Sequence, residues 1–331
     1  MKKQPCIHYD KENSYFYHLF IALVPFLFYG WYKNGILPFL SKDIAWFQMF
    51  RPLLFPIVGF FIGLCSDYLM KHMKEKKRVL TLHALYGMLL FMTIPLQANL
   101  FLVGIFVLLA FCLFSVLEKT KWSINTLLAT KGLLILILTF ICKVSYANAT
   151  ESTNVVFYSL IDIFFGRSVG GVASTSIFFM IIAYLFLTFD FFYKKRIPIY
   201  TFLSFTFLAL ILELITPTGN LMKFLLNPAI FFASIFFASE ITFSPYTETG
   251  CVIYGVINGL LGCFLSRFFS FQEGIYLSIL LTSLFVPVID RISYKIEKKK
   301  QKFCRMPKAK KGDCLPKLSQ NSTFVLPKMK K

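Results

Sequence analysis

The chain of 331 residues is strongly apolar: 57% of its residues are hydrophobic, 15% are charged, and the mean hydropathy is +0.67. Soluble domains are about half apolar and about a quarter charged, so this composition excludes an ordinary soluble protein. Long unbroken apolar runs, without apolar and polar alternation, argue against a membrane β-barrel. The sequence therefore predicts an all-α integral membrane protein.

Much of the net charge of +19 lies near the C-terminus. Residues 291–331 contain fourteen Lys and Arg against two acids, Glu297 and Asp313, and so carry +12 of it. The Lys-rich, Pro-punctuated segment 294–331 predicts a tail that is disordered in isolation. A positive-inside anchor is the preferred interpretation, attraction to anionic lipid or to an acidic partner subunit stays open, and a nucleic-acid-binding domain is not indicated.

Ten apolar runs are long enough to cross a bilayer at about 20 residues each. They are 15–32, 44–66, 79–96, 99–117, 124–142, 172–193, 197–215, 223–239, 249–266 and 274–290. The predicted organisation is a cytoplasmic N-terminal segment, a membrane domain of two halves joined by an outer loop, and the basic tail. These parts are 1–14, 15–293 (halves 15–142 and 172–293, loop 143–171) and 294–331.

Basic residues are concentrated in every second predicted loop, counted along the chain. They concentrate at both termini, at 71–78, at 119–121 and at 194–196. By the positive-inside rule, both termini then face the cytoplasm and the loop 143–171 faces outward. That loop contains a short apolar run, 155–165, which predicts a broken or interfacial helix or an ordinary amphipathic loop helix. Five spans before the loop and five after it permit an inverted five-plus-five repeat.

Polar groups inside apolar runs mark candidate sites, because ionisable residues are costly in lipid. Lys131 and Glu213 lie deep in their runs and predict a polar cavity. Hydroxyl-rich residues at the start of the sixth run, 170–176, suit an anion at a helix start or plain helix capping. The stretch 239–250 combines acids and hydroxyls, which suits a hard cation or a hydrated cytoplasmic turn. The eight cysteines form no C-x-x-C pair and the four histidines are scattered, so no metal centre and no catalytic residue are predicted.

Four motifs occur in an order that resembles one family. They are Ala147-Asn148-Ala149-Thr150; Gly170-Gly171-Val172-Ala173-Ser174-Thr175-Ser176; Phe236-Phe237-Ala238-Ser239-Glu240-Ile241-Thr242-Phe243-Ser244-Pro245; and the closing block 273–290, which ends Val286-Pro287-Val288-Ile289-Asp290. With them the C-terminal half resembles the D subunit of the Rnf electron-transport complex and its relative, the B subunit of the sodium-pumping NADH:quinone reductase. The closing block is the most specific of the four.

The resemblance implies a membrane subunit of an ion-motive electron-transport complex in the cell inner membrane, with other membrane and peripheral subunits as partners. It implies covalent FMN on the Thr150 hydroxyl and a second non-covalent flavin. Thr153 is the nearest rival acceptor, because its surroundings in the sequence are equally polar. It further implies that Gly170, Gly171, Thr175 and Ser176 contribute to the flavin site. An ion path along Glu240, Thr242 and Ser244 is expected.

Departures from the family pattern keep alternatives open, among them Ser174 in place of the family's Glu and Glu240 in place of its Asp. Val144 and Ala147 stand where the family has Asp and Ser before the attachment threonine. A degenerate, non-redox structural subunit would retain the fold without flavin attachment. A solute permease with an inverted repeat and no cofactor is the other alternative, which the closing block 273–290 disfavours.

Overall fold

The structure, a computed structural model, describes residues 7–73, 82–117, 126–136, 138, 160–166, 172, 176–217, 221–241, 244–269 and 271–303. Every regular element in these ranges is helical, which confirms the predicted all-α class. In chain order the α-helices are α1 (Ile7–Trp31), α2 (Leu37–Leu40), α3 (Arg51–Met73), α4 (Leu82–Met92), α5 (Leu100–Leu117), α6 (Thr126–Leu136), α7 (Leu160–Phe165), α8 (Ile177–Thr188), α9 (Arg196–Ile215), α10 (Leu221–Leu225), α11 (Pro228–Phe232), α12 (Glu248–Phe268), α13 (Phe271–Leu284) and α14 (Val286–Phe303). Two π-helical turns, Tyr32–Ile36 and Ala233–Ala238, extend α1 and α11.

Each of the ten predicted runs contains at least part of one helix. Four helical segments of the described chain are long and apolar enough to cross a membrane, and a fifth if α13 and α14 count as one bent span. These four are Tyr15–Leu40, Gln48–Leu69, Arg196–Ile215 and Glu248–Phe268. Further apolar helices, among them α4, α5 and α8, are shorter. The chain is thus a helical membrane protein, while the count of ten spans and the inverted repeat stay predictions.

Glycines allow two helix pairs to pack closely. In α3, a Cβ atom added to Gly63 would stand 2.1 Å from the carbonyl oxygen of His83 in α4. In α12, a Cβ atom on Gly259 would stand 2.0 Å from Ser204 Oγ and 2.2 Å from the carbonyl oxygen of Thr201 in α9. Each glycine is the second of a G-x-x-x-G pair, the spacing that brings membrane helix backbones together.

Several segments meet at one end of the bundle. His18 Nδ1, near the start of the candidate membrane span Tyr15–Leu40, lies 2.7 Å from Asp190 Oδ2 in the α8–α9 loop. Lys194 of that loop contacts the turn before α12, and Asp290 of α14 accepts a hydrogen bond from Tyr246 of the same turn. The charge pattern predicts these segments on one side of the membrane, and they do share one end. Which side that is stays a prediction.

Two predicted segments are described only in part. The outer loop 143–171 contains α7, a six-residue helix within the short apolar run 155–165. At the C-terminus α14 continues to Phe303, ten residues into the segment for which the sequence predicts disorder in isolation. Residues 304–331 lie outside the described part of the chain.

Candidate functional site

The structure describes three of the residues that the sequence predicts as site residues: Ser176, Glu240 and Ser244. It brings Glu240 and Ser244 together and places Ser176 elsewhere, at the start of α8. The remaining predicted site residues lie outside the described ranges. They are Thr150, its rival Thr153, Gly170, Gly171, Thr175 and Thr242.

Glu240 and Ser244 are buried, with 5% and 2% of their surface exposed. The interpretation of these two residues as part of a hydrated turn is therefore wrong. The Tyr86 hydroxyl of α4 donates a hydrogen bond to Glu240 Oε1, and the Ser244 hydroxyl donates to the Glu240 carbonyl oxygen. A carboxylate removed from water needs such donors, because an uncompensated buried charge is costly.

Lys194 connects the α8–α9 loop to the same turn. Its Nζ donates to Ser244 Oγ at 2.6 Å, to the Ser244 carbonyl oxygen at 2.7 Å and to the Ile241 carbonyl oxygen at 3.1 Å. Burial lowers the pKa of the Lys194 ammonium, while the neighbouring Cys251, Glu240 and Asp290 side chains act in the opposite direction. We call Tyr86, Lys194, Glu240 and Ser244 the polar cluster.

The turn that follows Ser244 in the sequence is held to α12 and α14 by hydrogen bonds. Thr247 caps α12 by accepting a hydrogen bond from the Gly250 amide at 3.0 Å, and its hydroxyl lies 2.7 Å from Ser293 Oγ of α14. The Thr249 hydroxyl donates to Glu297 Oε1 at 2.7 Å. These contacts anchor a turn that apolar packing alone would leave loose, so the polar cluster has a defined backbone geometry.

A second buried pair lies between α3 and α4. Asp67 Oδ1 is 2.5 Å from His83 Nδ1, and both side chains are almost fully buried. Among the described residues, Asp67 Oδ2 has no hydrogen-bond partner. His83 packs edge-on against Tyr86 at 6.1 Å between ring centroids, so this pair adjoins the polar cluster. In the sequence, His83 is an ionisable residue within the apolar run 79–96, whereas Asp67 directly follows the run 44–66 and resembles an ordinary residue at the end of a span.

Lys131 of α6 is completely buried, as its depth in the sequence indicates. Its Nζ donates to Thr93 Oγ1 at 2.6 Å and lies 4.6 Å from the centroid of the Tyr276 ring. Buried Glu273 also interacts with Lys131 electrostatically. The lysine therefore has polar and aromatic neighbours, and a polar cavity around it stays a prediction. Glu213 of α9 is half-buried.

Ser176 is the N-cap residue of α8, but its side chain makes no capping hydrogen bond. Its hydroxyl donates instead to the Phe164 carbonyl oxygen of α7 at 3.4 Å, and the residue is fully buried. The Ser176 hydroxyl is therefore buried and already hydrogen bonded, so it is not available to a phosphate group at the start of α8. This buried contact also ties the short helix of the outer loop to α8.

Chemically, these groups place exchangeable protons and carboxylate oxygens within an apolar helical body. Glu240 and Asp67 each have a proton-bearing partner, Tyr86 and His83 respectively. Such groups are able to bind a proton or offer oxygens to a cation, and ionisable residues inside membrane domains commonly mark ion pathways.

Comparison with known proteins gives two matches. The model of a family described as NQR2, RnfD, RnfE matches residues 1–298. A relative from Actinobacillus succinogenes, the D subunit of an ion-translocating oxidoreductase complex, is 31% identical over 67 residues. Those residues are 20% of this chain and 19% of the relative, so the alignment spans about a fifth of each protein. Because the family match extends over most of its length, the chain belongs to the NQR2, RnfD, RnfE family.

Proposed function

We propose that the protein is a membrane subunit of an ion-translocating oxidoreductase complex of the Rnf type, located in the cell inner membrane with both termini in the cytoplasm. In this role it carries electrons through a flavin, coupled to cation movement across the bilayer, and works with other membrane and peripheral subunits. Support comes from the family match over residues 1–298 and from the ion-translocating complex to which the A. succinogenes relative belongs.

The observation that carries the proposal is the burial of Glu240 against Tyr86 within an apolar bundle. A buried acid with a proton-bearing partner is expensive for a purely structural membrane subunit and useful on an ion path. Glu240 and Ser244 are the described residues that we assign to this path, and Thr242 lies between them in the sequence.

For the redox role we propose covalent FMN on Thr150 and a second, non-covalent flavin. This part is based on the sequence motif, since Thr150, Gly170, Gly171 and Thr175 are outside the described ranges. Bound flavin would supply one- and two-electron chemistry, and the chain would hold and orient it. Ser176 is the described member of this set, and its engaged hydroxyl favours a supporting role in the loop over a phosphate contact.

The alternative of a degenerate, non-redox subunit is favoured by the departures at Val144 and Ala147. Fluorescence of the purified protein on a denaturing gel separates the two, because covalent flavin survives SDS. A fluorescent band supports the redox role. A dark band from cells that express a flavin transferase supports the degenerate role.

Cation coupling is tested in the complete complex reconstituted into vesicles. We expect Glu240→Gln to lower cation uptake per electron transferred at least ten-fold, because it removes a buried charge from the proposed path. The control is Glu248→Gln at the same end of the bundle, whose side chain is 76% exposed. Equal coupling in the wild-type complex and Glu240→Gln would reject this path. Solute uptake by vesicles containing flavin-free protein alone would favour a permease.

A further inference from the structure

The last described helix, α14, differs from the apolar helices of the bundle. It follows α13, a helix of 14 residues, and the two axes are bent by 59° at Phe285. At 1.5 Å per residue, α13 rises about 21 Å, less than the roughly 30 Å of a hydrocarbon core. Alone, α13 is therefore too short to cross the core. Just beyond the bend, Asp290 accepts a hydrogen bond from the Tyr246 amide of the turn before α12, so α14 begins at the end of the bundle where the polar segments meet.

Three kinds of surface run along α14. Ile289 and Ser293 are buried, and Glu297 hydrogen bonds to Thr249, so this face packs on the bundle. A second stripe of apolar side chains at i, i+4 and i+8 is exposed: Val288 at 50%, Ile292 at 49% and Ile296 at 38%. A third stripe is basic and exposed: Arg291, Lys295 and Lys298.

The order of these stripes around the helix is the order expected for a helix that lies at the membrane surface beside the bundle. At about 100° per residue, the apolar stripe lies about a quarter-turn from the packed face, and the basic stripe lies a further quarter-turn away. A helix at the rim of the bundle meets protein on one side, acyl chains below and headgroups outward, in that same order. Tyr294 lies on the remaining side, toward water.

We infer that α14 lies in the plane of the membrane surface and binds anionic phospholipid headgroups through Arg291, Lys295 and Lys298, while Val288, Ile292 and Ile296 enter the outer acyl layer. Amphipathic helices with apolar and basic faces bind membranes in this way. The basic side chains favour anionic over neutral lipids, because each Lys or Arg near an anionic surface strengthens binding about five-fold. The segment that follows in the sequence, residues 304–331, carries net charge of the same sign.

The test uses the full chain in lipid nanodiscs, with a fluorescent amino acid encoded at position 292 or, as the matched control, at position 294. Both positions are exposed, at 49% and 56%, and they lie on different sides of one helix. We expect nitroxide-labelled acyl chains to quench the probe at 292, and aqueous iodide to quench the probe at 294. Iodide quenching of both probes would show that α14 lies in water. Equal acyl-chain quenching of both probes would show that α14 continues α13 as a membrane-spanning helix. Either result overturns the inference.

Lipid charge is tested in the same nanodiscs, made from phosphatidylcholine and phosphatidylglycerol. We expect Arg291→Gln/Lys295→Gln to reduce the phosphatidylglycerol retained by the purified protein several-fold. The control, Lys42→Gln/Lys195→Gln, removes the same charge from two other exposed positions. Equal retention by the two double variants would show unspecific attraction and reject the site. The probe measurement stands independently if the double variant folds poorly.

Discussion

The Tyr86 hydroxyl of α4 donates a hydrogen bond to the Glu240 carboxylate, which lies 154 positions away in the sequence. We expect Tyr86→Phe to lower the free energy of unfolding by about 1–3 kcal/mol, because Glu240 Oε1 stays buried without this donor. Thermal unfolding in detergent measures the change. Tyr68→Phe, at a ring that is 70% exposed, should stay within about 0.5 kcal/mol of the wild-type protein. Equal losses in both variants would contradict the pairing.

Two glycines of α12, Gly259 against α9 and Gly262 against α13, predict effects of different size. Gly259→Ala should destabilise the protein by about 1–3 kcal/mol, because the new Cβ would meet the Thr201 carbonyl oxygen at 2.2 Å. Gly262→Ala places a Cβ 3.2 Å from Ser278 Oγ, a contact that a small shift relieves, and helix propensity favours alanine, so this variant should lose much less stability than Gly259→Ala. Melting temperatures of the two variants measure the difference. A tolerated Gly259→Ala would show that the helices are farther apart.

Lys194 predicts a pH dependence of stability. Burial lowers its pKa in the folded protein, whereas the unfolded chain has an ordinary value of about 10.4. Between these values the unfolded state binds more protons, so the stability contributed by this site rises with pH across that window. The stability of the wild-type protein relative to Lys194→Gln should therefore increase as the pH rises toward the ordinary lysine value of about 10.4. Lys195→Gln, at an exposed neighbour, should give a flat difference, and a flat difference for Lys194→Gln as well would refute the assignment.

Flavin attachment predicts a specific modified peptide. Trypsin releases residues 144–167 as one fragment, which contains Thr150 and Thr153. In cells that express a flavin transferase, we expect this fragment to carry the mass of FMN bound through a phosphoester. Thr150→Val should abolish the modification and Thr153→Val should retain it. The reverse pattern would move the site three residues, and an unmodified wild-type fragment would favour the degenerate, non-redox alternative.

The charge pattern predicts the orientation of the membrane domain. Reporter fusions after Arg196 and at the C-terminus should report a cytoplasmic position, and a fusion after Thr153 should report an outer position. His18 and Asp190 share one end of the bundle, so a fusion placed before His18 should agree with the one after Arg196. A cytoplasmic signal after Thr153 would overturn the predicted topology.

The amino-acid sequence by itself determined the class of the protein and the places of its helices. Hydropathy decides whether a segment enters lipid, and this is a local property that needs no knowledge of neighbouring helices. The run 249–266 therefore predicts α12 within two residues at each end, and the closing block 273–290 already indicates the family. Lys131 was also recognisable, because a lysine deep within an apolar run is conspicuous in any arrangement of the helices.

Only the tertiary structure decided which polar groups meet. The pairing of Asp67 with His83, and of Tyr86 with Glu240, depends on how α3, α4 and the turn before α12 are ordered and rotated in the bundle. No local pattern encodes that rotation, because most faces of these helices are apolar and suit either lipid or protein. The same reason explains Glu240: its polar neighbours in the sequence resemble a hydrated turn, and contacts from distant segments bury it.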